Sequence, residues 1–277
     1  MSIREKRTAI PVKGGVEISA TIVAPQTLLP GILFVHGWGG SQERYLIRAR
    51  EIAELGCVCL TFDLTGHAGT RPRFETVTRE NNLNDLVAAY DLLVSQPNVS
   101  PSEIAVVGSS YGGYLAAILT SMRPVEWLAL RVPALYVDSG WEMPKLQLRK
   151  EQNLEAYRQT VVHALENRAL LACSQFAGDV LLVQSEFDHL IPPAVISNYR
   201  EACVQARSLT YRMMRGADHG LTEESMSRAY TTLLFNWLRE MVFGAQRSTV
   251  TAPVSIGSSS NGNGNATAGR PNGLAAD

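Results

Sequence analysis

A serine near the middle of this chain has the surroundings of an enzymatic nucleophile. The motif G-S-S-Y-G centres on Ser110, after the apolar strand pattern Ile104–Val107 and before the apolar helix pattern Tyr114–Ser121. A tight turn from strand to helix strains the backbone of its central serine and exposes the hydroxyl, and glycines are needed on both sides because strand and helix approach closely. The helix N-terminus adds backbone N–H donors where an oxyanion would form. The pattern predicts Ser110 as a nucleophile and Ser109 as a turn residue.

A serine nucleophile needs a histidine base and a carboxylate that orients the base. For a nucleophile on a strand–turn–helix segment, the chain order is serine, then the acid, then histidine. Asp188 lies just beyond the apolar strand pattern Val180–Ser185, and His219 follows the strand pattern Leu209–Met214. Because ligands bind beyond the carboxyl ends of parallel strands, these loops should meet at one edge of the sheet. The sequence therefore predicts Asp188 as the acid and His219 as the base for Ser110.

Other carboxylates and histidines could take these roles. Glu186 lies just before Asp188, and Asp138 follows an earlier strand pattern, so either could be the acid instead. His189 adjoins Asp188 too closely to reach the serine while Asp188 orients a base. The other three histidines have different predicted roles. His163 should lie on the surface, and His36 should make a buried hydrogen bond. His67 should line the pocket or bridge loop carbonyls.

A glycine-rich loop, H-G-W-G-G, follows the apolar strand pattern Gly31–Val35. Acyl transfer needs two N–H donors aimed at the developing oxyanion, and losing one donor costs about 10²–10³ in rate. The glycines would let this loop bend towards Ser110. We expect the backbone N–H groups of Trp38 and of Tyr111, the residue after the nucleophile, to form the oxyanion hole.

Apolar side chains near these segments indicate the character of the substrate. Phe187 and Leu190 lie on either side of the predicted acid. Trp38 lies in the glycine-rich loop, and Trp141 and Met143 lie further along the chain. Together they predict an apolar substrate pocket, which favours a small or medium uncharged acyl or aryl ester.

The elements that would position these residues alternate between strand and helix. The strand patterns are Gly15–Val23, Gly31–Val35, Cys57–Phe62, Ile104–Val107, Trp127–Val137, Val180–Ser185 and Leu209–Met214. The helix patterns are Glu43–Leu55, Asn82–Ser95, Tyr114–Ser121 and Glu223–Val242. Strands that alternate with helices imply βαβ units, so we predict an α/β fold with a doubly wound, mostly parallel sheet.

Two stretches depart from this alternation. Residues 138–178 are mostly helix-forming between two strand patterns, and a connection this long usually carries a function. We predict a short helical lid over the strand ends, with an ordinary crossover helix as the alternative. Residues 246–277 include GSSSNGNGNATAGRPNG, which cannot bury enough apolar surface to offset the entropy of ordering. The predicted organisation is a catalytic domain over residues 1–245 and a disordered tail over 246–277.

Composition narrows the partners and the compartment. A formal net charge of -1 gives no sign of a nucleic-acid or polyanion partner. The N-terminus lacks the apolar core of a secretory signal, and no apolar run approaches the roughly 20 residues that span a bilayer. The cysteines are too few and scattered for a disulfide framework and read as small buried hydrophobes: Cys57, Cys59, Cys173 and Cys203. We expect a cytoplasmic protein with no membrane partner; the oligomeric state is left open.

Five motifs resemble those of the α/β-hydrolase superfamily, in the expected order over Ile10–Phe243. They are HGWGG, DLTGHAG, GSSYGGY, EFDHLIP and DHG. GSSYGGY and the short interval before EFD are most similar to dienelactone-hydrolase-like and prolyl-oligopeptidase-like relatives. The resemblance implies an enzyme without metal or cofactor that cleaves carboxylic esters, thioesters or amides.

The combined expectation is a serine hydrolase that cleaves a small-molecule carboxylic ester or thioester through an acyl-enzyme intermediate. An amidase or peptidase with the same triad is one alternative, and a non-catalytic ligand-binding member of the fold is another. Haloalkane or epoxide chemistry is disfavoured, because those relatives need a carboxylate where Ser110 stands.

Overall fold

The strand patterns come together in one mixed sheet. The computed structural model describes residues 3–25 and 29–250, and the strands in these ranges are β1 (Ile3–Val12), β2 (Val16–Pro25), β3 (Leu29–Val35), β4 (Val58–Phe62), β5 (Val99–Ser109), β6 (Trp127–Arg131), β7 (Asp179–Phe187) and β8 (Ser208–Asp218). They pair in the order β1-β2-β4-β3-β5-β6-β7-β8. The β1–β2 and β2–β4 pairs are antiparallel, and every later pair is parallel. The predicted mostly parallel sheet is confirmed.

Helices cover both faces of this sheet. They are α1 (Glu43–Ala53), α2 (Arg79–Val94), α3 (Tyr111–Leu119), α4 (Lys145–Glu151), α5 (Leu154–Arg158), α6 (Arg168–Gln175), α7 (Pro193–Ala202) and α8 (Glu224–Val250). Buried residues of α1 and α8 pack in one hydrophobic cluster, and those of α2, α3, α6 and α7 pack in another. The doubly wound α/β fold is therefore confirmed.

Strand β3 explains why the central strands read as continuous apolar runs. Ile32 and Phe34 belong to the cluster with α1 and α8, whereas Leu33 and Val35 belong to the cluster on the other face. Successive side chains of a strand point to opposite faces, so a strand with helices on both sides needs apolar residues at every position.

The strand predicted over Trp127–Val137 is shorter in the structure. β6 ends at Arg131 because Val132 has a φ of 40° and Pro133, which has no N–H to donate, follows it. The chain then leaves the sheet, and the N–H of Ala134 donates to the carbonyl oxygen of Ser110 at 2.9 Å. This departure brings residues 132–137 under the nucleophile turn.

The interval predicted as a lid, residues 138–178, contains two kinds of helix with different roles. α4 and α5, over residues 145–158, border the cavity described below. α6 instead buries Leu170 and Cys173 in the core and is the crossover helix that leads back to β7. Only the first part of the predicted 138–178 interval therefore lies over the strand ends.

The last helix extends past the predicted domain boundary. α8 continues to Val250, so residues 246–250 of the predicted tail are helical. The rest of that tail, 251–277, lies outside the described residues. In the part of the chain that the structure describes, no helix has the length and apolarity to cross a membrane.

Candidate active site

Ser110 occupies a strained turn between β5 and α3. Its φ of 54° and ψ of -119° are unusual for a residue with a Cβ atom, and such strain costs about 1–3 kcal/mol. The neighbouring backbone holds this conformation, because the Ser110 N–H donates to the carbonyl oxygen of Arg131 at 2.9 Å. Its own carbonyl oxygen accepts from the N–H groups of Ala134 and Tyr114. A strained turn that is fixed on both sides presents the side chain at the carboxyl end of β5.

The glycines on either side of this turn are required by close backbone approach. A Cβ atom on Gly108 would lie 2.5 Å from the carbonyl oxygen of Gly112. A Cβ atom on Gly112 would overlap the carbonyl oxygens of Val35 and His36. Strand β5, helix α3 and the end of β3 therefore meet with no room for a side chain.

Three side chains from separate strand ends form a continuous hydrogen-bonded relay. His219 Nε2 lies 3.0 Å from Ser110 Oγ, and His219 Nδ1 lies 2.7 Å from Asp188 Oδ2. Because Asp188 as an ion can only accept, these partners assign the neutral tautomer in which Nδ1–H donates to Asp188 and Nε2 accepts from the serine hydroxyl. The structure thus brings together the three residues predicted for the triad.

Asp188 accepts three hydrogen bonds, which favour its ionised form. The backbone N–H groups of Leu190 and Ile191 each donate to Asp188 Oδ1 at 2.8 Å. Burial raises the pKa of Asp188, but the hydrogen bond and charge of His219 and these two N–H donors outweigh burial, and its pKa is lowered. A carboxylate that stays charged can stabilise a positive imidazolium.

The alternative acids lie elsewhere. Glu186 Oε2 accepts from the N–H of Gly216 at 2.8 Å and is exposed. Asp138 Oδ2 accepts from the N–H of Arg168 at 2.6 Å, at the start of α6. Neither carboxylate contacts His219, so both serve loop and helix geometry.

Sequence reasoning did not find Arg131, which supports two members of the relay. Its backbone carbonyl accepts from Ser110, and its Nη2 donates to the carbonyl oxygen of His219 at 2.8 Å. The side chain is only 6% exposed, and burial lowers its pKa. Nη1 lies 3.4 Å from Ser185 Oγ, and the guanidinium lies 5.5 Å from the ring centroid of Tyr230. The signal that could have identified Arg131 is its place at the end of an apolar strand pattern. A buried arginine is costly without partners, so an arginine there indicates polar groups nearby.

The glycine-rich loop after β3 is fixed by two neutral histidines. His36 Nδ1–H donates to the carbonyl oxygen of Gly37 at 2.8 Å, and His36 Nε2 accepts from the N–H of Leu64 at 3.0 Å. His67 Nε2 accepts from the N–H of Gly39 at 3.0 Å. Burial lowers the pKa of His36 to about 4 and, together with the neighbouring His36, lowers that of His67 to about 4. His67 bridges the two loops, and both histidines keep their acceptor nitrogens near neutral pH.

This loop lies against the nucleophile. A Cβ atom on Gly37 would lie 3.3 Å from Ser110 Cβ, and the rings of Trp38 and Tyr111 have centroids 5.6 Å apart. Among the described residues, no protein acceptor takes the backbone N–H of Trp38 or of Tyr111. Two N–H groups beside the serine therefore remain for a bound oxyanion.

A cavity of about 800 Å³ opens over the relay. Ser110, His219 and Asp188 contribute to its base, and its wall includes Leu190 together with residues of α4 and α5. His189, exposed beside the acid, lines the same cavity. His163 is exposed and does not border it.

Three residues predicted for the substrate pocket do not line this cavity. Phe187 is 56% exposed at the end of β7. Trp141 stacks on Tyr114 with ring centroids 6.1 Å apart and lies between the guanidinium groups of Arg79 and Arg168. Met143 belongs to the same partly buried layer. Trp141 and Met143 thus pack at the base of the lid and Phe187 is exposed, so the predicted pocket role is corrected for all three.

The wall of the cavity is more polar than the sequence indicated. Lys145, Tyr136 and Arg158 line it together with Trp38.

Within residues 3–25 and 29–250, no cluster of three or more histidine, cysteine or carboxylate side chains is arranged to hold a metal ion. The chemistry that the arrangement supports directly is acyl transfer to serine.

Comparison with known proteins adds the family context. The model of the alpha/beta hydrolase family matches residues 32–233. An uncharacterized protein of Mycobacterium tuberculosis is 31% identical over 123 residues, which is 44% of this chain and 43% of that protein. The match thus spans less than half the length of this relative.

Two solved structures share the fold. A dienelactone hydrolase from Anabaena variabilis has a TM-score of 0.61 at 20% identity, covering 86% of this chain and 97% of the other. A puromycin-hydrolyzing peptidase from Mycobacterium tuberculosis has a TM-score of 0.66 at 17% identity, covering 87% of this chain and 39% of the other. At such identities the likeness concerns the fold, and it agrees with the resemblance drawn from the motifs.

Proposed function

Because the chain belongs to the alpha/beta hydrolase family and is a hydrolase by class, we propose that it cleaves a carboxylic ester or thioester through an acyl-enzyme at Ser110. The observation that carries the proposal is the relay from Ser110 Oγ to His219 Nε2, at 3.0 Å, and from His219 Nδ1 to Asp188, at 2.7 Å. A base within this reach can take the serine proton as the bond to carbon forms.

Acylation follows from the positions of these atoms. Ser110 Oγ attacks the acyl carbonyl carbon while its proton passes to His219 Nε2, and Asp188 stabilises the resulting imidazolium. The N–H groups of Trp38 and Tyr111 bind the oxyanion. As the tetrahedral intermediate collapses, the bond to the leaving alcohol or thiol breaks, and that group takes the proton from His219.

Deacylation repeats these steps with water as the nucleophile. His219 accepts a proton from water, the hydroxide oxygen bonds to the acyl carbon, and the carboxylic acid leaves as Ser110 recovers its proton. The open cavity gives water access to the acyl group.

An amidase or peptidase with the same triad is the second candidate. One structural neighbour is a puromycin-hydrolyzing peptidase, which favours testing amide substrates on this chain as well. Matched aminoacyl 4-nitroanilides and 4-nitrophenyl esters would separate the two activities, since they present one acyl group on two leaving groups. The cytoplasmic location and a small-molecule substrate belong to the same proposal.

A fluorophosphonate probe tests the proposal directly, because labelling requires an activated serine. We expect the probe to label the wild type and the Ser109→Ala variant but not Ser110→Ala. Hydrolysis of 4-nitrophenyl butyrate should fall by several orders of magnitude in Ser110→Ala. Ser109 is the matched control, because it precedes the nucleophile yet is 3% exposed beneath the turn. Equal turnover by Ser110→Ala and the wild type would contradict the proposal, and a chain that neither hydrolyses esters nor reacts with the probe would be a ligand-binding member of the fold.

A further inference from the structure

One wall of the cavity carries positive charge from the lid. Among the residues that line it, Lys145 and Arg158 are cationic, and the carboxylates are Asp188 and Glu155. Asp188 is engaged with His219, and Glu155 is exposed on α5. Both cations lie on the lid side of the cavity, since Lys145 belongs to α4 and Arg158 to α5.

Lys145 is buried and fixed in place. Only 6% of the residue is exposed, and its backbone N–H donates to the carbonyl oxygen of Val77 at 2.9 Å. The Nζ atom lies 4.0 Å from the ring centroid of Trp38, 4.7 Å from that of Tyr111 and 5.0 Å from that of Tyr136. Cation–π contacts with three rings hold the ammonium at the cavity wall, next to the two residues proposed for the oxyanion hole.

Arg158 approaches the same wall from α5. Its Nε donates to the carbonyl oxygen of Leu135 at 3.1 Å and its Nη1 to that of Leu190 at 3.2 Å. Within the described ranges, no carboxylate forms an ion pair with this guanidinium. The charge of Arg158 is therefore oriented but not neutralised by the protein.

The ring of Tyr136 lies close to both cations, with its centroid 5.0 Å from Lys145 Nζ and 5.1 Å from the guanidinium carbon of Arg158. Burial raises the pKa of Tyr136, but the charges of Lys145 and Arg158 and their hydrogen bonds to its oxygen outweigh burial and lower the pKa. The two cations that favour the phenolate form of Tyr136 would also favour an anion bound at the same wall.

We propose that Lys145, Arg158 and the Tyr136 hydroxyl bind a carboxylate of the substrate while Ser110 attacks an ester elsewhere on the same molecule. This inference rests on the proposed function. It replaces the uncharged substrate expected from the sequence with an ester that carries one anionic group. A carboxylate suits these two cations, because its two oxygens can accept from an ammonium and a guanidinium at the same time. Binding the far end of the substrate would orient its acyl carbonyl towards Ser110.

Matched ester pairs test the subsite. The first pair is 4-nitrophenyl hydrogen adipate and its methyl ester, with the charge on the acyl part. The second is 4-acetoxybenzoate and its methyl ester, with the charge on the leaving group. The measured quantity is the ratio of kcat/KM for the charged ester to that for the neutral ester, after subtraction of spontaneous hydrolysis. In the wild type we expect a ratio above one for at least one pair.

Variants of the two cations should lower this ratio. Lys145→Met and Arg158→Gln should each reduce it by about tenfold to a hundredfold, the effect of losing a hydrogen bond to a charged group. Lys150→Met is the matched control, because Lys150 is exposed on the same helix and does not line the cavity. Its ratio should equal that of the wild type, and thermal unfolding would verify that each variant is folded.

The outcomes separate this inference from the proposed function. If both esters of a pair slow equally in Lys145→Met and in Arg158→Gln, the cations serve the cavity wall or the oxyanion and the subsite is overturned. If no ester is hydrolysed, the proposed function fails. Calorimetric titration of Ser110→Ala with adipate monomethyl ester then tests the subsite alone: weaker binding in the Ser110→Ala/Lys145→Met double variant supports it, and equal or absent binding overturns it.

Discussion

The nucleophile turn and the lid wall of the cavity differ in how the chain builds them. The turn is made of residues adjacent in sequence, whose conformation is fixed by glycines and by backbone hydrogen bonds from β5, α3 and the segment after β6. The lid wall is made by long side chains from α4 and α5 that reach the cavity from outside the sheet. In the proposed function, the first region carries out the reaction and the second selects the substrate. Local patterns predict the first kind of region far better than the second.

The largest effect is expected from a variant that disturbs the orientation of the base, His219, at the nucleophile turn. Asp188→Asn keeps the size of the side chain but removes the charge and replaces one acceptor oxygen with an NH₂ donor, so the tautomer of His219 is no longer fixed. In the well-studied serine protease triad the equivalent change lowers kcat by about 10⁴, and we expect a loss of about that order here. The measurement is kcat for a neutral 4-nitrophenyl ester.

Glu186→Gln is the matched control for that variant. Glu186 lies two residues before Asp188, near the end of β7, and accepts from the N–H of Gly216. Its kcat should stay within a few-fold of the wild type. A loss of comparable size in Glu186→Gln would show that the loop as a whole, and not the carboxylate on His219, sets the rate.

A smaller loss is expected at Arg131, which acts as a positioning residue. Arg131→Met removes the hydrogen bond to the carbonyl of His219 and leaves that carbonyl without its donor. Since a hydrogen bond from a charged group contributes about 1.5–3 kcal/mol, kcat should fall by about tenfold to a hundredfold. KM should change little, because the guanidinium lies beneath the relay and does not line the cavity.

The pattern of rescue distinguishes positioning from general stability. Arg131→Lys keeps a donor near the His219 carbonyl and should recover part of kcat. If Arg131→Lys and Arg131→Met have equal kcat although both unfold at the temperature of the wild type, the positioning role is wrong.

At the lid wall, substitution of a residue that lines the cavity should change KM by a few-fold, whereas substitution of a residue outside it should not. Leu190 borders the cavity and Phe187 does not, although both are more than half exposed. Leu190→Ala should raise KM for 4-nitrophenyl octanoate by a few-fold through lost apolar contact, while Phe187→Ala should leave it unchanged. The opposite ranking would mean that long acyl chains lie along β7 instead of inside the cavity.

The sequence predicted the turn and the relay because each depends on few, local constraints. Gly108 and Gly112 are needed at fixed positions around Ser110, and the acid and base each follow a strand that reads as apolar. The parallel sheet then brings these strand ends to one edge.

The lid wall could not be predicted in the same way. Trp141 looked like a pocket residue, but it is held between two arginines that are distant from it along the chain. Lys145 carried no signal in the sequence, but it is buried among three rings from three different segments. Such placements arise from tertiary packing, for which spacing along the sequence carries no signal. The early end of β6 has a local cause in Pro133 as well as contacts to the turn, such as the bond from the N–H of Ala134 to the carbonyl oxygen of Ser110.

The last prediction concerns stability, and it involves a buried carboxylate beneath the turn. Asp85 accepts hydrogen bonds from the N–H and hydroxyl of Thr65 and from the amide of Asn82, whose oxygen in turn accepts from the hydroxyl of Tyr111. Burial raises the pKa of Asp85 to about 6, and the hydrogen bonds from Thr65 and Asn82 offset burial only in part. In the unfolded chain an aspartate has a pKa of about 3.9.

The sign of the resulting pH dependence follows from proton binding. Between about pH 4 and pH 6 the folded state holds the Asp85 proton and the unfolded state does not, so this group makes the free energy of unfolding fall as pH rises through that window. Asp85→Asn should remove that contribution, and the difference in unfolding free energy between wild type and variant should shift by about 1–3 kcal/mol from pH 4 to pH 7. Urea unfolding at a series of pH values measures it, with Asp91→Asn, an exposed residue paired with Arg123, as the control. An unchanged difference across the window would mean that Asp85 is ionised in the folded protein, so that its three donors, and not burial, dominate beneath the turn.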